Sequence, residues 1–166
     1  DKMVAAGCRE ISFGIESGDP EMIRRINKKI DLEQAVDVFR MLRRKNLVAR
    51  ANFMIGNPGE TAQSVDASVR LACRMKPTNI IASIARVYPR TMLDAEAQKH
   101  GLITPDFWYL KADEAPYYTV DMSFEEMQAH ATRMLFRWAL SRGPVALAKM
   151  TYANWRLSGT RRSLSF

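Results

Sequence analysis

Two segments of the chain alternate between apolar and polar positions, and each runs into a polar turn. In residues 11–16, Ile11, Phe13 and Ile15 alternate with Ser12, Gly14 and Glu16. This period of two predicts a strand, and the turn Ser17-Gly18-Asp19-Pro20 predicts its end and the start of a helix. Glu16 is therefore expected at the carboxyl end of a strand.

The second segment repeats the scheme about forty residues later. Ala49, Ala51, Phe53 and Ile55 share one face, and Arg50, Asn52 and Met54 share the other. Gly56-Asn57-Pro58-Gly59 then breaks the run. Parallel α/β sheets bind ligands where strands end and loops begin, so polar groups in both segments are candidates for ligand contacts.

Helical patterns separate and follow these strands. Asp31 with Gln34 has the spacing of a capping box, and it opens a helix whose apolar side is Leu32, Ala35, Val36, Phe39 and Leu42. A helix over 61–75, a strand over 80–87 and a helix from Thr91 to Gly101 follow. The alternation predicts an α/β fold of three βα units with parallel strands, up to about residue 103.

The pattern changes after Pro105. Aromatic residues between Phe107 and Tyr118 lie in a segment without clear periodicity. Ser123 with Glu126 predicts a capping box for a long helix, whose apolar stripe is Met127, Ala131, Met134, Leu135 and Trp138. A second helix is predicted over 145–156, and residues 157–166 are expected to be a disordered basic tail.

The chain is expected to be a piece of a larger protein. Its 166 residues, 47% of them hydrophobic, are enough for one domain with a core. Three parallel strands, however, leave a sheet edge or a barrel interior open. Residues 1–7 read as the end of a helix that leads into a strand, so an amino-terminal portion is expected to be missing.

The net charge of +7 is confined to the carboxyl-terminal part. Residues 127–166 contain seven Lys or Arg and no acid, whereas residues 1–126 contain 18 basic and 18 acidic residues. Sparse aromatic residues and the lack of a nucleic-acid motif favour a solvated or inter-domain face over a nucleic-acid or membrane surface. No run reaches transmembrane length and no signal peptide is present, which predicts a cytoplasmic protein.

The cysteines and histidines do not predict a metal site. Cys8 and Cys73 are far apart and lack a metal-ligand spacing, and His100 and His130 fall on separate predicted helices. The two cysteines are expected to be buried, reduced core residues.

Four motifs, taken in order, resemble the carboxyl-terminal half of radical S-adenosylmethionine (SAM) enzymes. They are residues 6–20, the helix end at 25–28, Phe53-Met-Ile-Gly-Asn-Pro-Gly-Glu-Thr61, and Val87-Tyr-Pro-Arg-Thr91. The branch they resemble most is the cobalamin-binding one, which includes magnesium-protoporphyrin IX monomethyl ester oxidative cyclases. The resemblance covers roughly residues 5–115, leaving 116–156 as a helical segment.

The resemblance implies a TIM-like partial barrel of six βα units. In that family a [4Fe-4S] cluster, held by a CxxxCxxC motif, cleaves SAM to a 5′-deoxyadenosyl radical. This chain lacks the motif and would supply the last three strands. The cluster, and cobalamin if it is used, would be bound outside this chain.

The resemblance also implies which residues contact SAM. Glu16 matches a residue that bonds a ribose hydroxyl, Asn52 a second ribose contact, and Lys28 the cation that meets the methionyl carboxylate. The backbone at Ile55-Gly56 and Val87-Tyr88 would border adenine, and Ser17 and Arg50 complete the predicted set. Family members often have Arg in place of Lys28 and Asp in place of Asn52.

The chemistry of these residues suits a zwitterionic nucleoside, but each has another interpretation. Carboxylate and amide groups hold a ribose diol well, and a cation suits a carboxylate. Alternatively, Glu16 accepts backbone N–H groups of the following helix, and Lys28 is a solvated lysine. Arg50 is either a cofactor or substrate contact or an ion-pair partner of Glu16. Glu60 is expected to open the next helix, with an adenine contact as the alternative.

Three functions are consistent with the sequence. The first is the cofactor-supporting half of a radical SAM oxidoreductase, inactive alone, with porphyrin-type oxidative cyclisation as the named reaction. The second is a half-barrel that pairs with a separate cluster-bearing subunit, or with itself through the open sheet edge. The third is a nucleic-acid module using the basic tail, although no nucleic acid is expected. The identity of a small-molecule substrate would be set by parts of the protein outside this chain. The aromatic segment 107–118 is expected either to cover the barrel mouth or to pack under the barrel.

Overall fold

Three parallel strands form the centre of the molecule. The computed structural model describes residues 2–110, 115–145 and 148. Strands β1 (Glu10–Glu16), β2 (Val48–Ile55) and β3 (Asn79–Ile84) pair in the order β1-β2-β3. The helices are α1 (Lys2–Ala5), α2 (Pro20–Arg25), α3 (Leu32–Arg44), α4 (Ala62–Met75), α5 (Met92–Lys99), α6 (Phe107–Leu110) and α7 (Phe124–Ser141). The predicted α/β fold, a partial parallel βα barrel, is confirmed.

One face of the sheet is covered by helices and forms the core. Ala49, Ala51, Phe53 and Ile55 of β2 are each at most 1% exposed. Helices α3, α4 and α7 contact the sheet on this side, and Met127 and Met134 of α7 are fully buried in the same cluster. The period of two in β2 therefore separates a buried apolar row from a polar row, as the sequence predicts.

The opposite face stays accessible to solvent. We call it the open face, and it carries Ser12, Gly14, Glu16, Arg50, Asn52, Ile81 and Ser83. These residues are partly or fully exposed; the Ile81 side chain, for example, is 43% exposed. In a barrel of parallel strands the face away from the helices is the interior, so the open face corresponds to part of a barrel lining.

Strand β3 is shorter than predicted, because the chain beyond it pairs with a returning segment. Residues 85–87 bond to residues 116–118: Tyr118 N–H donates to the Ala85 carbonyl at 3.0 Å, and Val87 N–H donates to the Pro116 carbonyl at 2.8 Å. A second core of Ala85, Val87, Ala97, Ile103 and Tyr118 forms there, with Met54 packed against it. The aromatic segment starts with the short helix α6. It ends at the carboxyl edge of the sheet, where the mouth of the predicted barrel would lie.

Helix ends largely follow the sequence signals. Asp31 accepts hydrogen bonds from the Glu33 and Gln34 N–H groups, and Ser123 and Glu126 form the predicted capping box. Cys8 and Cys73 are free thiols, as predicted, and they pack against the core, but both are only partly buried and not buried as predicted.

Some predictions fall beyond the part of the chain that the structure describes. The second carboxyl-terminal helix, over 145–156, does so almost wholly, and the basic tail over 157–166 does so wholly. The domain boundaries at residues 115 and 156 stay predictions. Within residues 2–110 and 115–145, no helix has the length and apolar character needed to cross a bilayer.

Candidate cofactor-binding site

Glu16 ends β1 in an unusual backbone conformation. Its φ is +67°, and the Ser17 N–H bonds across it to the Ile15 carbonyl at 2.9 Å. The β1–β2 register shifts at the same point, between Gly14 and Glu16. A non-glycine residue in this region is strained and persists only when surrounding contacts enforce it. Such strain at a strand end is typical of a functional position.

The contacts that enforce this turn come from α4. The Ser17 side chain is fully buried, accepts the Asp19 N–H at 3.1 Å and lies 3.3 Å from the Ser68 hydroxyl. The Gly18 N–H donates to the same Ser68 hydroxyl at 2.7 Å. Ser17 therefore anchors the turn from the helix side, and its side chain does not reach the open face.

The carboxylate of Glu16 is not used to cap the next helix. Asp19 has that role, since its side chain accepts the N–H groups of Glu21 and Met22 at the start of α2. The alternative interpretation of Glu16 as a helix cap is wrong, because a closer acidic side chain already accepts these donors.

Lys28 is directed back over β1 by the end of α2. Asn27 has a φ of +53°, Asn27 N–H bonds to the Arg24 carbonyl, and Lys28 N–H bonds to the Ile23 carbonyl. This is a Schellman motif with Asn27 in the left-handed position. The Lys28 ammonium then lies 3.3 Å from Glu16 Oε1, so Lys28 is not a merely solvated lysine.

Gly14 provides the space in which this ion pair sits. A Cβ built on Gly14 would lie 2.3 Å from Glu16 Oε1 and 3.0 Å from Lys28 Nζ. Gly14 is the register partner of Asn52, and paired residues of parallel strands project to the same face. The Glu16 carboxylate and Lys28 ammonium therefore lie over the open face, next to Asn52.

The glycines at positions 14 and 18 should respond differently to a methyl group. Gly14→Ala meets only the ends of two flexible side chains, so its free energy of unfolding should change by less than about 0.5 kcal/mol. Gly18→Ala meets backbone, with its Cβ 2.6 Å from the Ala67 carbonyl oxygen, and should lose about 2 to 3 kcal/mol. Urea unfolding of both variants measures these changes in the free energy of unfolding. Equal losses in the two variants would contradict the open space above Gly14 that the Glu16 and Lys28 side chains occupy.

The Asn52 side chain has one acceptor that finds no partner among the residues the structure describes. Its Nδ2 donates to Ser12 Oγ at 3.2 Å, whereas Oδ1 is buried and accepts no hydrogen bond within the described part of the chain. A buried acceptor left without a donor is costly and suggests a missing partner. A ligand hydroxyl that displaces the groups covering this atom would supply the donor.

Arg50 is bound by a residue at the other end of β1. Its guanidinium lies 2.7 Å from Glu10 Oε1, and its register partner is Ser12. The interpretation of Arg50 as an ion-pair partner of Glu16 is therefore wrong, because Arg50 lies toward the amino end of the sheet and Glu16 at the carboxyl end. Arg50 does share the open face, as predicted.

The four residues predicted to border adenine lie at the carboxyl ends of β2 and β3. Ile55 and Val87 are buried in the two cores, and Tyr88 is 56% exposed. Some of their backbone groups are already bonded: the Ile55 carbonyl accepts Ala85 N–H at 2.8 Å, and Gly56 N–H donates to Glu60. The two strand ends are thus adjacent, but their side chains do not converge with Glu16.

Glu60 has a role that the sequence interpretation missed. It does not open α4, whose N-cap is Thr61; its Oε2 instead accepts the N–H groups of Gly56 at 2.6 Å and Asn57 at 3.3 Å. The side chain is almost fully buried, and Oε1 has no partner among the described residues. Burial raises the pKa of Glu60 to about 7, against the opposing effect of the two backbone hydrogen bonds. The sequence signal for this contact was the position of Glu60 four residues after Gly56, across a turn that contains proline.

A cavity of about 540 Å³ lies beside this edge of the sheet. It is lined by the segments that follow each of the three strands, including Ile26 after β1, Pro58 after β2 and Leu93 after β3. Its size is within the range of small-molecule sites, but Glu16, Lys28 and Asn52 do not line it, so the cavity is separate from the space over the open face beside those residues.

The described residues do not form a metal site. No group of three or more His, Cys, Asp or Glu side chains within residues 2–110 and 115–145 is placed to hold a metal ion. Of the two thiols, Cys8 lies between α1 and β1, and Cys73 lies on α4. These residues do not fit an iron–sulfur cluster.

A family model matches the amino-terminal part of the chain. Residues 1–72 match the family model of the radical SAM superfamily. That range contains β1, β2, Glu16, Lys28, Asn52 and Glu60.

Two curated relatives come from archaea. A Pyrococcus horikoshii protein named as an uncharacterized methyltransferase is 32% identical over 106 residues, which are 64% of this chain and 23% of the relative. An uncharacterized Methanopyrus kandleri protein is 42% identical over 59 residues, which are 34% of this chain and 11% of the relative. The chain thus spans less than a quarter of the length of either relative.

Proposed function

We propose that this chain is the SAM-binding half of a radical SAM iron–sulfur enzyme, with the nucleoside held over the open face at the carboxyl edge of the sheet. The observation that carries the proposal is the juxtaposition of Glu16 and Asn52. Glu16, in a strained backbone conformation, holds its carboxylate over Gly14, and Asn52 opposite has a buried acceptor that receives no hydrogen bond from the described residues. Together they offer acceptors for two neighbouring hydroxyl groups.

The ribose and methionyl groups of SAM fit these residues. Glu16 and Asn52 Oδ1 would accept the two ribose hydroxyls, and Lys28 would meet the methionyl carboxylate. Adenine would lie toward Ile55, Gly56, Val87 and Tyr88, where the ends of β2 and β3 adjoin. Arg50, paired with Glu10, would border the ligand site on the side toward the amino end of the sheet. SAM supplies the radical precursor, while this chain binds and orients it.

The cluster belongs to another part of the enzyme in this proposal. The [4Fe-4S] cluster would be held by a cluster-bearing half outside this chain, and cobalamin, if used, by a further domain. The outer edge of β1 has no partner strand among the described residues, and it is the edge to which preceding barrel strands would add. The same edge supports the alternative of a separate cluster-bearing subunit or self-association.

Two reactions are candidates for the whole enzyme. The order of the motifs favours oxidative cyclisation of a magnesium-porphyrin monomethyl ester. The name of the P. horikoshii relative favours methyl transfer instead. The two differ in products, since methyl transfer from SAM leaves S-adenosylhomocysteine and oxidative cyclisation does not. Product analysis with the full-length protein would separate them.

Binding of SAM to the 166-residue chain tests the proposal directly. In a ¹⁵N NMR titration of wild type, SAM should shift the backbone resonances of Gly14 and Asn52. Gly14→Ala should remain folded but lose these shifts, because the added methyl group occupies the position of the Glu16 carboxylate. Shifts confined to other regions, or equal binding by Gly14→Ala, would refute the proposed site.

A further inference from the structure

The cavity beside the carboxyl edge of the sheet has a buried tyrosine in its wall. Tyr118 is 2% exposed and lines this space of about 540 Å³. Its hydroxyl has no hydrogen-bond partner among the described residues, yet the oxygen is not completely enclosed. A buried tyrosine hydroxyl normally has a partner, and the cavity is where this one can meet it.

Two carboxylates lie in the same wall. Asp121 and Glu96 both line the cavity. Burial raises the pKa of Tyr118, and the negative charges of Asp121 and Glu96 raise it further, so both carboxylates lie near the hydroxyl. Asp121 Oδ2 accepts the Gly59 N–H at 2.7 Å, whereas its Oδ1 has no partner in the described part of the chain. That oxygen can accept a hydrogen bond from a ligand.

The two basic side chains that line the cavity do not neutralise this wall. Arg25 Nε donates to Glu21 at 3.1 Å, so the charge of Arg25 is already paired. His100 lies 3.5 Å from Glu96 and carries a charge only when it is protonated. Asp121 has no ion pair within the described residues. The surroundings of the tyrosine hydroxyl therefore favour a positive group.

From this arrangement we propose that the cavity is a second small-molecule site, which binds a protonated amine with an apolar body. The ammonium group would bond to the Tyr118 hydroxyl and the Asp121 carboxylate. The apolar body would contact Ile26, Pro58 and Leu93. The residues proposed to hold SAM do not line this cavity, so the amine site and the SAM site can be tested separately.

Three probes that share a phenyl ring test the charge preference. They are phenethylamine, which is a cation, 2-phenylethanol, which is neutral, and 3-phenylpropionate, which is an anion. In NMR titrations of the 166-residue chain at pH 7.5, phenethylamine should shift the backbone resonances of Gly59, Leu93 and Tyr118. It should bind about tenfold more tightly than either of the other probes, because a hydrogen bond to a charged group is the stronger kind.

The proposal is overturned if phenethylamine does not bind, or if 2-phenylethanol or 3-phenylpropionate binds as tightly. Phenethylamine shifts confined to Gly14 and Asn52 would also overturn it, because the amine would then occupy the open face. Failure of SAM to bind would refute the proposed function but leave the amine site unaffected.

Two variants assign the contacts. Tyr118→Phe removes only the hydroxyl and should weaken phenethylamine binding about fivefold. Asp121→Asn keeps an oxygen for the Gly59 N–H but removes the charge, so it should weaken phenethylamine about tenfold and abolish the preference over 2-phenylethanol. Asp121 is exposed, so this variant should fold even if Tyr118→Phe does not. Unchanged affinity in either folded variant would overturn the proposal.

Matched controls remove the same groups outside the cavity. Tyr117→Phe removes the hydroxyl that bonds to Arg86, and Asp66→Asn removes a carboxylate that pairs with Arg133. Neither Tyr117 nor Asp66 lines the cavity, so both controls should bind phenethylamine as wild type does. Losses in the controls equal to those in Tyr118→Phe and Asp121→Asn would contradict the assigned contacts.

Discussion

Glu16→Ala should weaken SAM binding by roughly 30- to 150-fold. The substitution removes a charged acceptor for the ribose hydroxyls, and hydrogen bonds of this kind contribute about 2 to 3 kcal/mol when the partner is otherwise left unsatisfied. The Glu16 side chain has one ion pair and is partly exposed, so the fold should persist. Isothermal titration of the 166-residue chain gives the affinity, and circular dichroism checks the fold.

Glu33→Ala serves as the control for this experiment. Glu33 is also a carboxylate in an ion pair, with Arg74, but it lies on α3, which packs against the helix-covered face of the sheet. Its loss should not change the affinity for SAM. If Glu16→Ala binds as tightly as wild type, Glu16 does not contact the nucleoside.

The stability of the chain should fall as pH rises from about 4.5 to 7, because of Glu60. Its pKa is about 7 in the folded protein and 4.5 as a free side chain. Between these values the folded state keeps a proton that the unfolded state releases, so protonation stabilises the folded state at low pH. The difference corresponds to roughly 3 kcal/mol, lost as the pH passes through the folded pKa.

Glu60→Gln isolates this effect, because wild type and variant differ in this one titratable group. The amide imitates the protonated carboxyl group and does not ionise. Urea unfolding from pH 5 to 8 should give similar free energies for both proteins at pH 5, with the variant more stable at pH 8. Parallel curves for wild type and variant would show that Glu60 does not titrate with a raised pKa.

The same residue links stability to the candidate site. Glu60 holds the N–H groups of Gly56 and Asn57, directly after β2. Ionisation strengthens these hydrogen bonds but places a charge in a nearly dry environment. The loop at the end of β2 is therefore fixed by a group whose charge depends on pH near neutrality.

Sequence periodicity was a reliable guide where one physical requirement dominated. The alternation in β2 fixed which residues face the core, because a strand with one covered face needs a strict apolar row. Asp31 and Ser123 marked helix starts, since few side chains can bond free N–H groups there. The length of the connecting helices predicted parallel pairing.

Predictions of which polar groups pair with each other were less accurate. Arg50 pairs with Glu10 and not with Glu16, and Glu60 bends back to the loop before it instead of starting α4. Strand β3 ends early because residues 116–118, some thirty positions later, pair beyond it. Each outcome depends on which groups meet in space, and that choice is made by packing.

The sequence by itself determined the order of strands and helices, the buried row of β2, and the polar rows of β1 and β2 that hold Glu16 and Asn52. Tertiary structure alone decided that the Glu16 carboxylate lies over Gly14 beside Lys28, that one Asn52 acceptor has no partner within the described part of the chain, and that Glu60 is buried. The reason is that periodicity encodes burial along one element. The partner of a polar group, by contrast, depends on the register and loop geometry that bring separate elements together.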